Sequence, residues 1–95
     1  LATDYNPGSC HIQSMPFIMT LAVMKMSMTI EEAFIAATYH GAAALGFENE
    51  IGSVEINKKA DLVVWDIDNL TDIAYYVTDH PIRYVIKNGQ IVFGA

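Results

Sequence analysis

The residues whose types and spacing could carry chemistry lie at the start of the chain, in the segment DYNPGS at 4–9. Asp4 directly follows the run LAT at 1–3, which is typical of the last part of a buried strand. An aspartate at such a strand end can hold a metal ion or act as a general base. A turn aspartate can instead bond to its own backbone, and the position of Asp4 alone leaves both interpretations open.

The turn after Asp4 carries donors for an anionic or carbonyl oxygen. Pro7 sets the turn, and Gly8 lets another backbone approach closely. The N–H groups of Gly8 and Ser9 and the Asn6 amide could bind a carboxylate, although an ordinary tight turn has the same composition. Barrel and open α/β enzymes place their chemistry just past strand ends. We therefore expect the tail of a larger enzyme that holds only part of its site.

The other candidate ligands show no metal-binding pattern. His11, His40 and His80 are not spaced as His-x-His or His-x-x-x-His. His11 lies close enough to the segment 4–9 to line a site. His40, within the predicted second helix, is expected to be a packed or capping residue, and His80 a loop residue. Cys10 has no base beside it in the sequence, so a nucleophilic role is not indicated. A single cysteine also forms no internal disulfide.

Composition narrows the classes of partner. The net charge is -6 with five Lys and Arg among 95 residues, so neither nucleic acid nor an anionic membrane is an expected partner. The longest apolar run, 15–24, is too short to span a bilayer. We expect the parent protein to be cytoplasmic. Hydrophobic residues make up 53% of this short chain. We expect another part of the protein, or a second copy in a homo-oligomer, to cover the excess apolar surface.

Two helices are predicted after the loop. Ser14 can cap the first, which has a proline in its first turn and is apolar on most of its surface. Such a helix is typically buried, although its many methionines are also typical of a binding groove. Thr29 and Glu32 form a capping-box pattern for a second, alanine-rich helix over 30–45, which ends at Gly46.

The second half of the chain has the pattern of antiparallel strands. Short strands are predicted over 51–56 and 60–65, and the stretch 69–78 is ambiguous between a short helical and an extended piece. An Asn-Gly pair within 82–93 predicts a hairpin with a type I′ turn. The expected fold class of the isolated chain is therefore α+β, with two helices followed by antiparallel strands.

Three segments carry most of a family resemblance: TDYNPGS at 3–9, the segment 52–66 with GSVE and KKADLVVWD, and VIKNG at 85–89. Together they resemble the C-terminal part of the imidazolonepropionase family, and the resemblance covers nearly the whole chain. The second and third segments are similar to those of many metal-dependent amidohydrolases and identify only that superfamily. The first segment is the one that points to imidazolonepropionases within it.

The resemblance implies a (β/α)8 TIM barrel joined to a small β-sandwich built from both chain ends. Residues 1–46 would supply the end of the last barrel strand, the active-site loop and the C-terminal helices of the barrel. Residues 47–95 would supply the C-terminal strands of the β-sandwich domain.

The resemblance also implies a reaction, the hydrolysis of 4-imidazolone-5-propanoate to N-formimidoyl-L-glutamate in histidine degradation. Similar enzymes use one divalent zinc or iron held by histidines and one aspartate, and Asp4 matches that aspartate. It would bind the metal, take a proton from the attacking water and pass it to the departing ring nitrogen. Asn6 and Gly8 match positions that bind the product, and Ser9 matches one that touches the substrate.

The chain departs from the family pattern at His40, where relatives usually carry Asn, and at 76–79, which replaces a stretch containing His-Phe-Gly. Neither change touches the segment 4–9. Because the barrel histidines lie outside this chain, we expect it to be inactive alone, with a small-molecule substrate and the remainder of the parent enzyme as its partners. The alternatives are an amidohydrolase for another cyclic amide or amidine, and a free-standing, non-enzymatic binding or assembly module.

Overall fold

Three helices precede a strand, a short fourth helix and two further strands in the computed structural model, which describes residues 1–94. The strands form one three-stranded antiparallel sheet, in which their spatial order is their order in the chain. The elements are α1 (Met15–Lys25), α2 (Ile30–Ala37), α3 (Tyr39–Ala44), β1 (Leu62–Trp65), α4 (Asp72–Tyr75), β2 (Ile82–Lys87) and β3 (Gln90–Phe93). The α+β class is confirmed, although the described residues form four helical segments where the sequence predicted two.

The core lies between α1, α2 and α4. Its buried members are Met19, Ala22, Ile30, Ala33 and Ile73. The side chain of Ile73 is 1% exposed, so the short helix α4, in the stretch that the sequence left ambiguous, closes the core from the second half of the chain. The methionines in and just after α1 differ in burial: Met19 is buried, whereas Met24 and Met26 are 67% and 61% exposed.

Both predicted N-caps are confirmed. The Ser14 side chain accepts a hydrogen bond from the N–H of Phe17 at the start of α1. At the start of α2, the Thr29 hydroxyl accepts from the Glu32 N–H at 3.1 Å, and the Thr29 N–H donates to the Glu32 carboxylate at 2.9 Å. This backbone donor and the Thr29 hydroxyl hold the pKa of Glu32 below its ordinary value.

The prediction of one helix over 30–45 is wrong, because the helix breaks at Thr38 into α2 and α3. Thr38 has φ -115° and ψ -87°, and its hydroxyl donates to the Phe34 carbonyl at 2.8 Å. A threonine hydroxyl on the carbonyl four residues earlier competes with helical hydrogen bonding and bends the chain. The predicted end at Gly46 is confirmed, since its φ is +78° and the N–H of Phe47 donates to the Ala42 carbonyl as in a Schellman motif.

The predicted hairpin is also confirmed. β2 and β3 pair antiparallel, and both turn residues have positive φ, with Asn88 at 50° and Gly89 at 78°. The strand predicted over 60–65 is present as β1, which pairs with β2. Asp61 ties the two together, because its carboxylate accepts from Lys87 Nζ at 2.6 Å and from the Asn88 N–H at 2.9 Å.

Two other strand predictions are wrong within the described residues. The stretch 51–56 forms bends and a turn, closed by a hydrogen bond from the Lys59 N–H to the Glu50 carbonyl at 2.8 Å. The run 1–3 also forms no strand. A strand exists only where a neighbour accepts and donates its backbone hydrogen bonds, and neither stretch has such a neighbour among residues 1–94.

Much apolar surface remains accessible. The chain exposes 6768 Å², against about 5,400 Å² expected for a folded protein of this size. On β3, Ile91, Val92 and Phe93 are between 56% and 63% exposed. A groove of about 640 Å³ also runs between the helices and β1, lined among others by Met15, Phe34 and Trp65. None of the helices in residues 1–94 is long and apolar enough to cross a bilayer.

Replacing Thr29 with alanine should lower the free energy of unfolding by about 1 kcal/mol, because the first turn of α2 loses its cap. Chemical denaturation measures the change. The matched control is Thr29→Ser, which keeps the hydroxyl and should stay close to the unsubstituted protein. Equal losses for both variants would show that the cap hydrogen bond does not contribute.

The Asp61 contact should make hairpin stability depend on acid pH. Hydrogen bonds from Lys87 and then from the Asn88 N–H hold the pKa of Asp61 below its ordinary value of 3.8. A carboxyl with a lowered folded-state pKa contributes stability that is present above the ordinary value and is lost as the pH falls below it. We therefore expect Asp61→Asn to unfold more easily than the unsubstituted protein above pH 3.8, and the difference to disappear only once the pH has fallen through the lowered folded-state pKa of Asp61.

Denaturant unfolding at a series of pH values measures this dependence. The control is Asp66→Asn, since Asp66 is exposed. The free energies of unfolding of Asp61→Asn and the unsubstituted protein could instead differ by the same amount at every pH. That result would contradict a role for the Asp61 charge.

Candidate functional site

The segment 4–9 forms a tight, surface turn just before α1. Asn6 and Cys10 pair as an isolated antiparallel bridge, in which the Asn6 N–H donates to the Cys10 carbonyl at 2.9 Å. Asp4 precedes this closed turn and is exposed, with a φ of +54°. A positive φ is uncommon for residues other than glycine, although aspartate and asparagine tolerate it better than most.

The Asn6 side chain organises the turn. Its Oδ1 accepts from the Gly8 N–H at 2.9 Å, from the Ser9 N–H at 2.8 Å and from the Ser9 hydroxyl at 3.2 Å. Its Nδ2 donates to the Asp4 backbone carbonyl at 2.7 Å. A single carboxamide therefore joins the backbone of Asp4 to the far end of the turn.

Thr3 is held on the other side of Asp4. The Thr3 hydroxyl accepts from the Tyr5 N–H at 3.2 Å, and the Thr3 carbonyl accepts from the Cys10 thiol at 3.2 Å. Cys10 thus serves the loop as a weak donor.

The structure brings all four predicted site residues into one turn. The N–H groups of Gly8 and Ser9, which the sequence suggested as donors to a ligand, already donate to Asn6 Oδ1. The groups that could still face a ligand are the Asp4 carboxylate, the second N–H of Asn6 Nδ2 and, if it rotates away from Asn6 Oδ1, the Ser9 hydroxyl. Their roles in binding and catalysis stay predictions.

The residues described here could supply one ligand to a metal ion. No three His, Cys, Asp or Glu side chains among residues 1–94 lie close enough together to hold one. The Asp4 carboxylate suits such a role, since it is exposed and carboxylate oxygens are ligands for divalent metals. The remaining ligands must then come from outside these residues.

The histidines have local roles in the structure. His11 Nε2 lies 3.5 Å from the Pro7 carbonyl, so this ring does lie beside the turn. His80 Nε2 lies 3.1 Å from the Ser14 hydroxyl, which caps α1. Sequence analysis took His80 as a loop residue and missed this contact, because 66 positions separate the partners and no local pattern joins them.

Nearly the whole chain is similar to known amidohydrolases. The sequence model of the Amidohydrolase family matches residues 1–92. An imidazolonepropionase of Alkaliphilus metalliredigens is 47% identical over 92 residues, which are 97% of this chain and 22% of that protein. An imidazolonepropionase of Symbiobacterium thermophilum is 42% identical over 92 residues, again 97% and 22% of the two chains.

A solved structure agrees with these relatives. The crystal structure of an amidohydrolase from Thermotoga maritima matches with a TM-score of 0.65 and 29% identity, over 84% of this chain and 19% of that one. The chain thus spans about a fifth of the length of the relatives that it matches. The resemblance inferred from the sequence motifs is confirmed.

Replacing Asn6 with alanine should speed amide hydrogen exchange at Gly8 and Ser9 about fivefold, because a net hydrogen bond of about 1 kcal/mol is lost. Exchange followed by NMR measures the change at each amide. The control is Asn49→Ala, in the exposed turn after α3, which should leave both amides unchanged. Unaltered exchange in Asn6→Ala would show that this side chain does not hold the turn.

Proposed function

The chain belongs to the amidohydrolase family, and we propose that it is the C-terminal part of a cytoplasmic imidazolonepropionase. The whole enzyme would hydrolyse 4-imidazolone-5-propanoate to N-formimidoyl-L-glutamate. The observation that carries this proposal is the 47% identity to an imidazolonepropionase over 97% of the chain. Membership of a hydrolase family favours an enzyme over the non-enzymatic binding module.

In the whole enzyme, residues 1–46 would complete a (β/α)8 barrel and residues 47–95 a composite β-sandwich. The accessible groove and the exposed β3 support this arrangement, because both present apolar surface that folded proteins usually cover. The run 1–3 would gain strand neighbours from the barrel.

The amidohydrolase family is generally metal-dependent, and Asp4 is the residue of this chain that would hold the ion, a zinc or iron. Such an ion, when bound, lowers the pKa of a water ligand and polarises the substrate carbonyl. The exposure of the Asp4 carboxylate and its position before a closed turn support the assignment. The other ligands would come from the rest of the enzyme.

Asp4 would also carry a proton. A carboxylate has two oxygens, so one can bind the ion while the other accepts the proton of the attacking water and donates it to the departing ring nitrogen. This role requires the second oxygen to be free of other donors. The exposed position of Asp4 is compatible with that requirement.

The turn after Asp4 would orient the substrate. The Ser9 hydroxyl can rotate from Asn6 Oδ1, at 3.2 Å, toward a ligand oxygen, since Oδ1 keeps its two backbone donors. The free N–H of Asn6 Nδ2 is a second donor on the same side chain. Both suit an anionic substrate, although arginine from the rest of the enzyme would bind most of its carboxylate charge.

Asp4→Asn in the whole enzyme should lower kcat by about 10²- to 10⁴-fold, because amide oxygen neither transfers the proton nor binds metal as a charged ligand. Hydrolysis of 4-imidazolone-5-propanoate and the bound metal content are the measurements. The control is Asp68→Asn, since Asp68 is exposed in the segment between β1 and α4.

Full activity and metal content in Asp4→Asn would contradict the role of Asp4. The unsubstituted enzyme could instead leave imidazolonepropanoate intact and hydrolyse another cyclic amide or amidine. That result would agree with the family assignment and contradict the proposed substrate.

A further inference from the structure

We infer that Asn6 is a positioning residue for the Asp4 carboxylate, in addition to facing the substrate. The inference rests on the proposed function only in taking Asp4 as a metal ligand. It goes beyond a substrate contact because it assigns the Asn6 carboxamide to the backbone conformation of its neighbour.

The first argument is the occupancy of the Asn6 carboxamide. Three donors, the N–H groups of Gly8 and Ser9 and the Ser9 hydroxyl, converge on Oδ1 at 2.8 to 3.2 Å. An amide oxygen has two lone pairs, so Oδ1 has no capacity left for a substrate donor. One of the two Nδ2 hydrogens is also used, by the Asp4 carbonyl at 2.7 Å. Most of the hydrogen-bonding capacity of this side chain therefore serves the loop.

The second argument is the conformation of Asp4. Its φ of +54° lies in the left-handed region, which L-residues adopt less readily than ordinary backbone conformations even though aspartate tolerates it better than most. Such a conformation persists only where surrounding contacts hold it. The carbonyl on the C-terminal side of Asp4 accepts from Asn6, and the Thr3 carbonyl on the N-terminal side accepts from Cys10. The Asn6 contact comes from an amide donor, whereas a thiol is only a weak donor.

The direction of the Asp4 Cα–Cβ bond follows from these two peptide planes. A change in φ or ψ of Asp4 would alter the angle between these planes and redirect the carboxylate relative to the turn. The hydrogen bond from Asn6 Nδ2 to the Asp4 carbonyl opposes that change. Groups that orient a metal ligand in this way typically change metal affinity about 10- to 100-fold when they are replaced.

The test is Asn6→Asp in the whole enzyme, compared with Ser9→Ala. Asn6→Asp keeps an oxygen acceptor for the Gly8 and Ser9 N–H groups but places oxygen against the Asp4 carbonyl, where a donor stood at 2.7 Å. Ser9→Ala removes one donor from Oδ1 and leaves the Asn6 contact with Asp4 intact. Both substitutions are on the surface, and circular dichroism checks that each variant folds.

The readouts are the visible absorption of the Co²⁺-substituted enzyme, the rate of Co²⁺ loss to EDTA, and kcat and KM separately. For Asn6→Asp we expect an altered Co²⁺ spectrum, about 10- to 100-fold faster metal loss and a lower kcat. For Ser9→Ala we expect a raised KM with the spectrum and the rate of metal loss unchanged.

An Asn6→Asp enzyme with the unsubstituted spectrum and rate of metal loss, and only a raised KM, would overturn the positioning role and leave Asn6 as a substrate contact. The two metal readouts need no substrate. If the enzyme fails to hydrolyse imidazolonepropanoate, the proposed substrate is wrong, while the spectrum and the rate of metal loss still decide the role of Asn6.

Discussion

The small core between α1, α2 and α4 is the constraint on which the rest of the structure depends. Ile73 comes from the strand half of the chain, yet it is 1% exposed among Met19 and Ala22 of α1 and Ile30 and Ala33 of α2. Burial of a side chain of this size stabilises by about 1.5–3 kcal/mol. This contact joins the two halves that the sequence separates near residue 46. It also fixes α1, which begins at Met15, shortly after the segment 4–9 that holds Asp4.

The loop itself depends little on that core. Its hydrogen bonds join residues within seven positions of one another, from Thr3 to Cys10. A loop built from local contacts can reach its conformation without the rest of the protein, because each of its partners lies only a few residues away. The core and the Ser14–His80 contact then determine where this preformed loop lies relative to the helices.

The small core leaves much apolar surface exposed. β3 is exposed along its whole length, and the groove beside Trp65 opens between helices and sheet. Edge strands of this kind readily pair with other chains unless something covers them. A chain that spans about a fifth of its relatives is consistent with surfaces that serve as interfaces to further polypeptide.

The sequence by itself determined the features that depend on near neighbours. The caps at Ser14 and at Thr29 with Glu32, the end at Gly46 and the Asn88-Gly89 turn are all present, because each needs partners within a few residues. Gathering Asp4, Asn6 and Ser9 in one turn was predictable for the same reason, since an Asn-Pro-Gly run bonds to its own backbone.

Only the tertiary structure decided the rest. Strands at 1–3 and 51–56 need partners that a local pattern cannot supply, and the pairing of His80 with Ser14 bridges 66 positions. The break at Thr38 has a local part, the hydrogen bond from its hydroxyl to the Phe34 carbonyl, and a long-range part. Beyond the break, α3 packs against Gly52 so closely that a Cβ added there would lie 2.7 Å from Ala42 Cβ. Helix propensity in the alanine-rich run favoured continuation, and only the tertiary structure shows this packing, because a long-range contact has no signature in neighbouring residues.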